Sequence, residues 1–182
     1  MRAAIIAMMI LLLPAALFAG PTMGVYFTFT PTQMHYNPMP FEQFNGYLYV
    51  HNTACYLNAV EYALAIPEGV ILMSYTLPVG ALELGSPLAG HSVAIWPPMD
   101  GWNPGYNLVN TFLFMALNSC PATGGTLHDA LVKVLPHPDT GLIQGSCWPE
   151  NYLFPYTGLT SIICPEVYGV QDTNWGAIKS LF

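Results

Sequence analysis

Apolar and polar residues alternate with a period of two along much of this chain. Val25, Phe27 and Phe29 alternate with Tyr26, Thr28 and Thr30. Phe44, Leu48 and Val50 alternate with Asn45, Tyr47, Tyr49 and His51, and Val60, Tyr62, Leu64 and Ile66 with Ala59, Glu61, Ala63 and Ala65. Val132 and Val134 share a face that excludes Lys133. This period, carried by β-branched and aromatic side chains, predicts half-buried antiparallel strands. Residues 108–117 are apolar on both faces and predict a central strand or, alternatively, a buried helix. Further strands are predicted over 70–76, 91–96, 142–146, 151–154 and 159–163. Pro (17) and Gly (16) separate these runs and leave little room for helices. Roughly eight to ten strands with recurring turn signals predict an all-β fold, an antiparallel β-sandwich forming one domain over 20–168. Residues 96–107, which include Trp96, Trp102 and Tyr106, read as a rigid aromatic loop. The tail, 169–182, departs from the pattern. Asp172-Thr173 can cap a short C-terminal helix that places Trp175, Ile178 and Leu181 on one face. It is either a sorting element or a structural cap or frayed tail.

The N-terminus has a different character. Met1-Arg2 precedes an unbroken apolar run over 3–13, and Ala19 precedes Gly20-Pro21. Residues 1–19 therefore read as a Sec-type secretory signal peptide, with a retained anchor as the alternative. A secreted, periplasmic or cell-surface location follows. The charge balance sharpens the picture. Only 3 Lys+Arg and 10 Asp+Glu occur, 7% of the chain, against roughly 25% in ordinary domains. Without residues 1–19 the cations are Lys133 and Lys179, so the formal charge is 2 − 10 = −8. Nucleic-acid binding rests on many cation–phosphate contacts and is excluded. Anionic membrane surfaces are disfavoured for the same reason. With 53% apolar and 13% aromatic residues, intrinsic disorder is disfavoured as well.

Cys55, Cys120, Cys147 and Cys164 form an even set in a chain read as exported, which predicts two disulfides. Three connectivities are possible. Cys55–Cys120 with Cys147–Cys164 is favoured, because the second pair flanks a segment able to fold back as a hairpin. No Cys/His spacing points to zinc or redox chemistry, and no metal or cofactor is expected.

Candidate chemistry is sparse. Gly90-His91-Ser92-Val93-Ala94 approximates a hydrolase nucleophile elbow, which needs a strand before the serine and a helix after it. Ser86-Pro87 before it and Trp96-Pro97-Pro98 after it supply neither context. His35, His51, His91, His128 and His137 show no metal-binding spacing and are expected in loops or at strand edges. Glu61, Glu68, Glu83, Asp100 and Glu150 are the carboxylates a glycosidase would draw on, with Glu61 expected on a solvated face. A calcium loop would rest on Asp100 or Asp139. The aromatic residues carry more information. Tyr47, Tyr49 and His51 lie opposite Leu48 and Val50, and Trp102 and Tyr106 lie in the 96–107 stretch. These five are the candidate ligand-binding residues, because flat rings stack on sugars and anchor protein interfaces.

The order of elements over 46–134 carries a resemblance. A strand ends in a polar loop (Tyr47 to Thr53), and Asn58-Ala-Val-Glu-Tyr-Ala-Leu-Ala-Ile-Pro follows. Val70-Ile-Leu-Met, the long strand over 107–117 and a Gly-Gly-Thr-Leu turn at 124–127 lead to Leu131-Val-Lys-Val. This resembles the cohesin-type β-sandwich, a jelly-roll module of bacterial secreted and surface proteins. The ending Trp175-Gly-x-Ile-Lys179 is similar to that of uncharacterised exported proteins of environmental bacteria. The resemblance implies a recognition, adhesion or assembly module without catalysis. Its partner would be a protein or glycan at the cell exterior, with self-association a further possibility. Carbohydrate binding through the exposed aromatics is the alternative function, and a small serine hydrolase built on Ser92 the remaining one.

Overall fold

A computed structural model describes residues 20–51, 53–101, 105–120, 127 and 130–165. The signal-peptide segment, the C-terminal helix, Trp102 and His128 lie outside the described residues. Within them every helix or strand assignment is a strand: β1 (Thr22–Tyr26), β2 (His35–Tyr36), β3 (Gln43–His51), β4 (Tyr56–Ala65), β5 (Val70–Thr76), β6 (Leu82–Ser86) and β7 (Gly90–Asp100). Then follow β8 (Tyr106–Ala116), β9 (Ala130–Leu135), β10 (Gln144–Trp148), β11 (Tyr152–Pro155), β12 (Thr157–Gly158) and β13 (Thr160–Ile163). Their number exceeds the sequence expectation because short edge pieces add to the main strands. β2 and β12 are two residues each.

The strands form a sandwich. One sheet runs β12-β1-β3-β8-β5. The other runs β11-β10-β4-β9-β13-β2, with β7 also paired to β4 and β6 to β7. β4 is the organiser of the second sheet. β10 pairs with its first half, β9 with residues 63–65, and β7 with residues 56–62. The alternation in sequence becomes the two sides of each sheet. Leu48, Val50, Val60, Tyr62, Phe112, Phe114, Val132 and Val134 point into one continuous core. Each large apolar side chain so buried contributes about 1.5–3 kcal/mol. Gly46 is required by that packing, since a Cβ there would stand 2.5 Å from the Phe114 ring.

The two-sided apolar run is β8, a strand between β3 and β5. The 96–107 stretch is not all loop: β7 continues to Asp100 and β8 begins at Tyr106. β7 pairs with Ala59 through Ala94 and with Leu57 through Met99, and the register shifts between them. Pro97 and Pro98 have no N–H to donate, and they fall in this interruption, where no ladder bond is needed.

The disulfides pair differently from the favoured connectivity. They are Cys55–Cys147 and Cys120–Cys164, with Cα separations of 5.7 and 5.1 Å. The sheet explains the first. β10 runs antiparallel to β4 with Trp148 opposite Tyr56 and Cys147 opposite Leu57, so Cys147 arrives beside Cys55. The segment after Cys147 does fold back, as β11 on β10, but the chain then continues away. It touches β1 of the other sheet through β12 and returns as β13 beside β9 and β2. Cys164 thus ends near Tyr36, to whose carbonyl its N–H donates, next to Cys120.

Candidate functional site

The outward side of β6, β7, β4 and β10 carries a solvent-facing apolar relief. Leu82 and Leu84 occupy alternate positions of β6 and are 75% and 77% exposed. Register sets Leu82 opposite Ala94 and Leu84 opposite Ser92, while Ser92 faces Glu61 and Ala94 faces Ala59 on β4. Small residues on β4 and β7 beside long ones on β6 leave a groove of about 500 Å³. A second hollow of about 220 Å³ continues it past Leu82 to Trp96 and Trp148. Trp96 is 66% exposed.

One polar cluster lies in this apolar relief. Glu61 accepts hydrogen bonds from the Gln144 amide at 2.5 Å and from the Ser92 hydroxyl at 3.3 Å. Its carboxylate is thus organised by neighbours rather than simply solvated, as the sequence pattern had implied. Ser92 lies mid-strand in β7, hydrogen-bonded to a carboxylate, and not at a strand-to-helix turn. The elbow geometry is therefore not formed.

His91 points the other way, into the core, and is fully buried rather than at a loop or edge. Its Nε2–H donates to Glu83 Oε2 at 2.7 Å, since a carboxylate only accepts, and Nδ1 accepts from the Tyr62 hydroxyl at 2.9 Å. Asn110 Nδ2 donates to the Tyr62 oxygen at 3.0 Å, which links four strands through the sandwich interior. Burial holds the His91 pKa below the usual imidazole value, outweighing the pull of Glu83. Burial pushes Tyr62 up. In Tyr75, burial first and the hydrogen bond to Glu83 second do the same.

Of the predicted aromatic residues, Tyr47, Tyr49, His51 and Tyr106 meet on the outward side of the first sheet, but they do not form a free strip. Tyr49 is buried, packed edge-on against Tyr26 and Tyr106 with its hydroxyl donating to the Phe29 carbonyl. Period-two alternation gives a side chain's direction and not what lies over it; here Tyr26 and Tyr106 cover the ring. His51 stacks on Tyr106 at 4.4 Å, and Tyr47 packs against Phe29. Burial and the neighbouring Tyr106 hydroxyl push the Tyr26 pKa up to about 12. The remaining carboxylates are dispersed: Glu68 precedes β5, Asp100 ends β7, Asp139 follows β9, and Glu150 lies between β10 and β11. Among the described residues no three or more His, Cys, Asp or Glu converge on one point, and no helix is long and apolar enough to cross a membrane.

The residues missed at sequence level are Leu82, Leu84 and Trp148. Leu82-Glu83-Leu84 does alternate, yet its polarity is inverted: the leucines face outward and Glu83 faces the buried histidine.

No family model matches the chain, and no curated protein matches it. Solved structures do. CaCohA2 of Clostridium acetobutylicum, in its complex with CaDoc0917, aligns with a TM-score of 0.55 at 8% identity, over 80% of this chain and 99% of that one. The third ScaB cohesin of Ruminococcus flavefaciens, in complex with a group 1 dockerin, gives 0.52 at 11% identity, over 81% and 97%. The sixth cohesin of Acetivibrio cellulolyticus scaffoldin B, in complex with a Cel5 dockerin, gives 0.51 at 7%, over 81% and 100%. At these identities the likeness concerns fold alone, and the fold of this chain is cohesin-like.

Proposed function

We propose that this protein is an exported, non-catalytic recognition and assembly module that docks a protein partner on the outward side of β10, β4, β7 and β6. The observation that carries the proposal is the groove between Leu84 and Glu61, continued to Trp96 and Trp148. Large apolar side chains held in water on a rigid sheet gain most by being covered, and Trp is prominent among residues that dominate protein interfaces. Three structural neighbours are cohesins or cohesin-like modules determined in complex with their partners, two of them named as dockerins. Export is supported by the two disulfides, which persist in oxidising compartments.

The test compares wild type with Leu84→Asp as immobilised bait for proteins exported by the source organism. Specific partners are expected on wild type and lost from the variant by roughly 30-fold or more, the cost of a central interface residue. Identical retention by both refutes the assignment of this face. Carbohydrate binding has narrower support, the half-exposed His51–Tyr106 stack. A glycan array on which Tyr106→Ala abolishes a wild-type signal would favour it.

A further inference from the structure

The five strands of the first sheet contain no Asp, Glu, Lys or Arg at all, in a chain of formal charge −7. Every carboxylate among the described residues, from Glu42 to Glu150, lies in the second sheet or in connecting segments. The outward side of the first sheet is also more apolar than a water-facing antiparallel sheet requires. On β8, Phe112, Phe114 and Ala116 enter the core, while Leu113 and Met115 point outward and remain half-buried. Register places Ile71 of β5 beside Met115, Asn45 beside Leu113, and Tyr47 beside Thr111. The result is an uncharged surface of Leu, Met, Ile, Tyr, Thr and Asn, overlaid at the Tyr47–Tyr49 end by Phe29.

We infer that this surface is the contact between two copies of the chain, related by a two-fold axis. Charge selects the occupant. Two acidic copies repel wherever carboxylates meet, and this sheet lets them approach without a like-charge pair. A two-fold contact sets the same patch against itself, which requires a surface compatible with its own copy. An apolar row flanked by amide and hydroxyl groups meets that requirement; an acidic face does not. Size agrees. Four main strands of 5, 9, 11 and 7 residues, about 4.8 Å apart and rising about 3.3 Å per residue, present roughly 500 Å² in projection. Side-chain relief brings this towards the roughly 800 Å² of accessible surface that each partner buries in a standard interface. The edge-on cluster of Tyr26, Tyr49 and Tyr106 holds one end rigid, so little side-chain freedom is lost on contact.

Sedimentation equilibrium of the purified protein over a wide concentration range is the test. Wild type is expected to associate to twice the mass of one chain. Leu113→Lys puts a cation into the apolar row of both copies and is expected to weaken association roughly 100-fold or more. Thr111→Lys, a milder change on the same face, should weaken it in the same direction. Leu84→Lys, on the other sheet, should leave the dimer intact, and circular dichroism confirms that each variant folds. A single-chain mass for wild type at every concentration overturns the inference, whether residues 166–182 or a foreign partner covers the face. A dimer that survives both Leu113→Lys and Thr111→Lys overturns it equally.

Discussion

His91 is the residue whose environment departs furthest from its sequence expectation, and the departure has a measurable consequence. A lone histidine between Gly90 and Ser92 carries no signal of burial; only the pairing of β6 and β4 with β7 closes Glu83 and Tyr62 around it. In the folded protein its pKa lies below the imidazole value because burial disfavours the cation. Unfolded, it titrates near about 6.5. Between those values the unfolded chain binds more protons. Stability should therefore be level above about pH 6.5 on this account and fall as the pH drops through that window. Urea unfolding at stepped pH should show the fall in wild type and its loss in His91→Gln, which keeps a donor and an acceptor but cannot titrate. That variant should itself cost about 1–2 kcal/mol. Retention of the full slope in His91→Gln would move the effect to another group. The core offers a second residue-scale check. Phe114 is fully buried against Gly46 and Phe44, so Phe114→Ala should lower unfolding free energy by about 3–5 kcal/mol.

At the scale of elements, what the sequence made legible follows from what periodicity can encode. β3, β4, β8 and β9 announce themselves because one side of each is apolar, or both are in β8. β6 did not, because its five residues sit close to glycines and its leucines face solvent, the reverse of what core patterning selects. β2 and β12 are two-residue pairings fixed by tertiary contacts, with no local signal to read. Cysteine pairing was illegible for a related reason: connectivity depends on which strand lies beside which, and a local hairpin is only the simplest guess. The observed disulfides close spans of 92 and 44 residues. In the chain-entropy model each contributes about 4–5 kcal/mol, and the longer spans make them more stabilising than the expected pairing. Non-reducing peptide mapping should therefore recover Cys55 linked to Cys147 and Cys120 linked to Cys164. Replacing Cys55 and Cys147 together by Ala should lower the urea midpoint by the equivalent of several kcal/mol; an unchanged midpoint would mean the cross-link constrains nothing.

For the whole molecule, scarcity of charge takes on a spatial meaning. Carboxylates are absent from the strands of one sheet, while Glu61 and Glu83 lie in the strands that form the groove of the other. The sandwich thus offers two dissimilar faces: an uncharged one suited to its own copy, and a grooved one with acidic groups suited to something else. Tyr47, Tyr49, His51 and Tyr106 of the predicted aromatic set belong to the first, with Tyr49 in its interior, and none of them lines the groove. That groove depends on the lateral order β10-β4-β7-β6, which no local pattern specifies. Its role as the docking face is the central claim, and site-specific photocross-linking in the source organism tests it most directly. A benzophenone side chain placed at position 84 should give discrete covalent adducts with one or a few proteins, and the same group at Thr140, outside the groove, should give none. Absence of adducts at position 84, or the same adducts from Thr140, would contradict the account.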